Sequence, residues 1–79
     1  MARIIDTKEK NLIGRTLKKL REEQGISQQQ LSNKLELLGV YVCRGSVSRI
    51  EDHQRTVTDI ELCAFAKALG VRIEDLFDI

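Results

Sequence analysis

Apolar residues recur along this chain at intervals of three and four, interrupted by glycines at 25, 39 and 70, and that rhythm predicts short helices. A first helix is expected from about Thr7 to Gln24. Ile13, Leu17 and Leu20 fall on one side of it at about 100° per residue, while Arg15, Lys18, Lys19 and Glu22 point away. Gly25 stops it. Residues 1–6 read as an N-terminal arm, flexible or partly packed through Ile4 and Ile5. Ser27-x-x-Gln30 is a capping box, in which each partner satisfies a backbone donor of the other; it opens a second helix with Leu31, Leu35 and Leu38 as its core stripe and Gly39 as its end. Val40-Tyr41-Val42 is expected as an extended, partly buried connection to a third helix from Arg44 to His53. A second capping box, Thr58-x-x-Glu61, starts a fourth helix that ends at Gly70. Leu62, Phe65 and Leu69 make its stripe, and Ala64, Ala66 and Ala68 allow close approach of neighbours. A short fifth helix, Ile73 to Phe77, would close the bottom of the core with Ile73, Leu76 and Phe77. Five short helices with short connections predict an all-α, compact five-helix bundle, with residues 7–79 as one domain.

Composition narrows the class. Seventy-nine residues make one small domain with a thin core, and 42% apolar with 32% charged residues is globular in character. No apolar run approaches the ~20 residues that span a bilayer, and the N-terminus lacks the apolar core of a signal peptide. A cytoplasmic location without membrane attachment is the expectation. Tyr41, Phe65 and Phe77 are too few aromatics for a single-strand stacking platform.

The net charge of +1 is uninformative, but its distribution is uneven. Residues 1–56 carry 11 Lys/Arg against 7 Asp/Glu, and residues 57–79 carry 2 against 5. A phosphate-facing front with an acidic rear gives that split, and so does ordinary scatter of surface charge.

Two cysteines, Cys43 and Cys63, and one histidine, His53, cannot make a four-ligand zinc set, so no metal and no cofactor are expected. Cys63 falls in an apolar helical pattern and reads as a small core residue. Cys43 stands near a helix start, where a thiolate is favoured, yet a space-filling thiol is the default reading. No nucleophile is paired with an oriented base, and there is no Gly-rich phosphate loop, so the chain is not expected to be an enzyme and no catalytic residue is assigned.

Helix three is where candidate chemistry concentrates. Val47 and Ile50 mark its inward side; Gly45, Ser48, Arg49 and Asp52 lie opposite, with Arg44 and Ser46 on the flanks. Such a helix fits a DNA major groove, whose base edges offer acceptors to arginine, although a merely solvated helix tolerates the same residues. Gly45 costs about 1 kcal/mol of helix propensity relative to alanine. Close approach to a partner would justify it, and so would relaxation of the helix start.

Several pieces, in order, now combine. Leu20-Arg21 ends helix one; Gly25-Ile26-Ser27-Gln28 leads into helix two, which contains Leu31 and Leu35. Val47-Ser48-Arg49-Ile50-Glu51 and Ala66-Lys67-Ala68-Leu69-Gly70-Val71 follow. Across residues 10–79 this resembles the lambda-repressor-like (Cro-type, XRE-like) helix-turn-helix family of DNA-binding domains. The resemblance implies a sequence-specific regulator of transcription, a repressor that binds double-stranded DNA as a homodimer on an inverted repeat. Carried over residue by residue, it implies that Gln28 binds a phosphate at the start of helix two. Arg44 and Arg49 would reach into the groove, Arg49 foremost for bidentate contact with guanine. Gly45 lies on the same surface, Ser46 and Ser48 would touch phosphate or base edges, and Arg55 would fix register on the backbone. Arg21 and Glu51 match positions that form an internal ion pair in the family, a structural role.

The chain departs from the family between helices two and three, where the interval from Glu36 to Val42 is about five residues longer than the usual turn near Leu-Gly-Val-Ser. Helix two is expected to gain a turn before Gly39, with Val42 in the buried turn position. The loop Asp52-His53-Gln54-Arg55 also lacks the glycine common in the family. The alternative reading keeps the fold and changes the partner: a protein-interaction module, such as an antirepressor or a toxin- or phage-system adaptor. Leu37, Leu38, Val40 and Tyr41 would then face a regulatory protein partner. For a homodimer, the fifth helix with Ile79 or the leucine-rich end of helix two are the candidate surfaces.

Overall fold

The computed structural model describes residues 8–78 and places four α-helices among them: α1 (Gly14–Glu23), α2 (Gln28–Leu37), α3 (Arg44–Glu51) and α4 (Asp59–Leu69). A single 3-10 turn, Ile73–Leu76, follows. The expected arm, its anchors Ile4 and Ile5, and Ile79 lie outside the described residues. The bundle is all-helical, but the expected fifth helix is only this turn. Its backbone is extended again at Phe77; Leu76 is buried, Phe77 packs at the edge, and Ile73 is exposed, not a core residue.

Asn11 sets the start of α1, later than the apolar pattern suggests. Its Oδ1 accepts from the backbone N–H groups of Ile13 (3.1 Å) and Gly14 (2.8 Å), satisfying donors that a helix start leaves open. Its Nδ2 donates to the carbonyls of Ile50 (3.0 Å) and Arg55 (2.9 Å), so the same side chain ties α1 to the end of α3 and the loop beyond. The crossing is close: a Cβ on Gly14 would collide with the Ile50 carbonyl oxygen and lie 3.0 Å from that of Glu51.

Both capping boxes form, at Ser27/Gln30 for α2 and Thr58/Glu61 for α4. All four helices end in the same reversed pair of backbone bonds, as where Gly39 N–H meets Glu36 O (2.9 Å) and Val40 N–H meets Leu35 O (3.0 Å). That ending needs a left-handed residue. Glycine supplies it after α1, α2 and α4; after α3 the position is His53, with φ of 61°. The helix expected to reach His53 therefore stops at Glu51.

Among the described residues, twelve make the core: Ile13, Leu17, Leu31, Leu35, Val42, Val47, Ile50, Ala64, Phe65, Ala66, Leu69 and Leu76. Helix α3 has eight residues, fewer than the ~12–15 that hold a helix in water unaided. Burial of Val47 and Ile50, about 1.5–3 kcal/mol each, binds it to the bundle. The long connection is held to α2 at two points: Val40 N–H on Leu35 O, and Ser32 Oγ donating to Val42 O at 2.7 Å. Val42 is buried, whereas Leu38, expected in the core, belongs to the turn at the end of α2 and is exposed. Val40 and Val42 return the chain to the core in its place.

Cys63 is a second correction. It stands about 200° around α4 from Phe65, on the outer side, and is exposed, so it does not fill the core. Cys43 is exposed as well and fills no space in the interior.

Candidate nucleic-acid interface

With Val47 and Ile50 buried, the spacing of α3 turns Arg44, Gly45 and Arg49 outward, and all three are exposed. Ser46 and Ser48 are half-buried beside them. A Cβ on Gly45 would meet only the flexible end of Arg49, 3.8 Å away, so its packing demands no glycine. The first turn of α3 holds no acidic residue, which leaves the positive end of the helix dipole beside Arg44 uncompensated. Arg49 Nη2 donates to Ser46 Oγ at 3.3 Å, and the Cys43 thiol lies 3.4 Å from the same oxygen. The Ser46 hydroxyl, with help from Arg49, lowers the Cys43 thiol below its ordinary value. Sequence reasoning missed this Cys43–Ser46–Arg49 line; its signal was the spacing of three between consecutive members.

A buried network orients α3 from behind. Arg21 Nε donates to Glu51 Oε2 at 2.7 Å and Nη2 to Oε1 at 3.0 Å, while Nη1 donates to the Ile26 carbonyl at 2.8 Å. The bond to Glu51 holds the guanidinium above its usual value against the opposing effect of burial. Gln28 Nε2 donates to Glu51 Oε1 at 3.0 Å. Three elements thus meet on one carboxylate: α1 through Arg21, the start of α2 through Gln28, and α3 through Glu51 itself. The Gln28 amide has two N–H groups, so a phosphate contact and the Glu51 bond are compatible.

Arg55 is turned elsewhere. Its Nη1 and Nη2 bond Glu61 Oε1 (3.0 Å) and Oε2 (2.9 Å), and Nη1 also reaches the Thr56 carbonyl. Arg55 lowers the Glu61 carboxyl and is itself raised by it. The structure thus groups Arg44, Gly45, Ser46, Ser48 and Arg49 on α3, attaches Gln28 to them through Glu51, and sends the Arg55 guanidinium to α4. Asn11, unrecognised within the expected first helix, aligns the backbone on which Arg55 stands; an asparagine just ahead of the apolar stripe was the available sign.

Among the described residues no group of His, Cys, Asp and Glu is placed to hold a metal ion, and no helix is long and apolar enough to cross a membrane. The geometry defines a helix-turn-helix unit: a second helix braced on a third whose polar face is free. Residues 17–76 match the helix-turn-helix family model, and the chain belongs to that family, of lambda-repressor-like (XRE) type. It is a DNA-binding transcription regulator of all-α fold. Among solved structures, the restriction-modification controller protein C.AhdI from Aeromonas hydrophila is similar at 31% identity and a TM-score of 0.72, over 82% of this chain and 91% of that one. The DNA-binding domain of BldD shares the fold at 23% identity and a TM-score of 0.73, over 94% of this chain and all of that one. The clp gene regulator ClgR from C. glutamicum shares it at 22% identity and a TM-score of 0.72, over 85% and 80%. Comparison with curated proteins gives no match.

Proposed function

We propose that the protein is a repressor that binds an inverted-repeat operator as a homodimer, with the outward face of α3 in the major groove. The observation that carries this reading is the exposed pair Arg44 and Arg49 on a helix whose other face is locked by Val47, Ile50 and the Arg21–Glu51–Gln28 network. Rigid presentation lowers the ordering cost of binding, and arginine matches the O6 and N7 acceptors of guanine. Ser46 and Ser48 contact phosphate or base edges, Gln28 a phosphate, and Gly45 permits close approach. Arg55 acts through its loop, since its guanidinium is engaged by Glu61. One such module makes too few base contacts for selective binding, which supports a dimer on two half-sites about one helical turn apart. The similarity to a restriction-modification controller protein supports regulation of transcription. On this reading the protein works in the cytoplasm, on DNA.

Selection from a random duplex pool, with Arg49→Ala as the control, tests it. An enriched inverted repeat that vanishes with Arg49→Ala is expected. Salt-sensitive binding with no enriched motif would leave only phosphate contacts and overturn the reading.

A second reading, a protein-interaction module for a regulatory partner, is favoured by Leu37, 87% exposed, with Leu38 beside it. Under that reading Leu37→Asp abolishes function and Arg49→Ala does not.

A further inference from the structure

The exposed polar surface of α3 does not stop at its first residue. Along the connection that enters it, burial alternates: Val40 is half-buried, Tyr41 is 79% exposed, Val42 is buried and Cys43 is exposed. Cys43 has extended backbone angles, and in an extended segment alternate residues share a side. Tyr41 and Cys43 therefore look out together. From Cys43 the surface runs on through Ser46 to Arg49 by contacts of 3.4 and 3.3 Å.

The backbone around Tyr41 is fixed. On one side Val40 N–H bonds Leu35 O at 3.0 Å; on the other, Val42 O accepts from Ser32 Oγ at 2.7 Å. An aromatic ring is thus presented on a pinned loop without packing against the bundle. Its apolar body and hydroxyl suit a surface that is part sugar and part phosphate. Resting on the placement of α3 in the groove proposed above, the geometry points to Tyr41 as a further DNA-contacting residue, its ring against deoxyribose and its hydroxyl donating to a phosphate at the groove wall. A segment of three residues spans roughly 10 Å, comparable to the ~12 Å width of the major groove. With Arg44 at the groove, Tyr41 falls at the wall. The lengthened connection provides this reach.

A phosphate contact positions and does not read sequence, and a neutral hydroxyl displaces no counterion. Tyr41→Ala is therefore expected to weaken binding to the selected duplex about tenfold, the order of one hydrogen bond to a charged group with its packing. The enriched motif and the salt slope stay unchanged. Tyr41→Phe loses part of that affinity, whereas Arg44→Ala lowers the salt slope. All variants are to be compared in the same 79-residue chain with equal melting temperature, and elution volume reads self-association. Tyr41→Ala affinity within twofold of the parent would overturn the assignment. So would loss of self-association by Tyr41→Ala, which would give the ring to a protein contact. If the parent protein selects no motif, the failure lies with the underlying DNA reading; if it selects one that Tyr41→Ala binds equally well, only the assignment of Tyr41 fails.

Discussion

Arg21 and Glu51, thirty residues apart, meet face to face through two parallel bonds of 2.7 and 3.0 Å, and both side chains are almost wholly removed from water. The pair joins the end of α1 to the end of α3, and Gln28 and the Ile26 carbonyl complete it. A buried pair of this kind adds little net stability, since two charges must leave water, but removing one partner strands the other.

Arg21→Ala is accordingly expected to destabilise the protein by about 3–5 kcal/mol, because Glu51 is left with Gln28 alone. The double variant Arg21→Met with Glu51→Leu should recover most of that loss. Urea denaturation of the two singles and the double measures the difference. A double variant no more stable than the worse single would show that the network, not the stranded charge, sets stability.

Two glycines in helices should respond in opposite directions. Gly14→Ala drives a methyl into the Ile50 carbonyl and should cost about 1–3 kcal/mol. Gly45→Ala meets only the flexible end of Arg49 at ordinary contact distance and should raise stability by about 0.5–1 kcal/mol. If Gly45 is kept for close approach to DNA, its alanine variant melts higher and binds the selected duplex more weakly. Thermal melts and binding titrations on both proteins separate these effects.

Asn11→Ala removes two donors' acceptor at the start of α1 and two bonds to the carbonyls of Ile50 and Arg55. A loss of about 1–2 kcal/mol is expected, the upper range for a helix cap. Hydrogen exchange should quicken at the Ile13 and Gly14 amides before it does in α2.

Glu61 titrates below its ordinary value of 4.5, chiefly through the Arg55 hydrogen bonds. A carboxyl depressed by folding stabilises the native state above its unfolded value, and that contribution fades as pH falls through the folded one. The stability gap between the parent and Glu61→Gln should therefore be full at neutral pH and shrink below about 4.5. Urea midpoints of both proteins across that range check it. A gap independent of pH would place the benefit in the capping geometry with Thr58 alone.

Cys43 and Cys63 are both exposed, but the Ser46 hydroxyl favours the thiolate of Cys43. Alkylation of Cys43 should rise at lower pH than for an ordinary thiol, and Ser46→Ala should shift its profile upward. Iodoacetamide labelling followed by mass spectrometry gives the rate at each cysteine. An unchanged profile in Ser46→Ala would assign the effect to the backbone amides of Gly45 and Ser46 at the start of α3 and to Arg49.

Much of the fold was written in short-range patterns. Ser27/Gln30 and Thr58/Glu61 name two helix starts because a capping box is complete within four residues, and Gly25, Gly39 and Gly70 name three ends because each supplies the left-handed backbone its ending requires. The inward side of α3 follows from the interval between Val47 and Ile50, and the exposed face bearing Arg49 is its complement.

Other features depended on what packs where. Cys63 and Leu38 look apolar in the sequence, yet only the arrangement of neighbouring elements decides whether an apolar residue has anything to bury it. The start of α1 was hidden because Asn11 works through Ile50 and Arg55, 39 and 44 residues away. His53 takes a position where glycine is usual, its ring nitrogen 3.0 Å from the Asn11 carbonyl oxygen, which no local rule foretells. The chain by itself thus marked its four α-helices, though not that the expected fifth is only a 3-10 turn, and a basic face on the third. The tertiary structure alone decided where α1 begins, which arginine is engaged, and that Tyr41 stands out beside α3. Caps and stripes are set by bonds and angles within a turn or two, whereas burial and ion pairing are set by residues that only folding brings together.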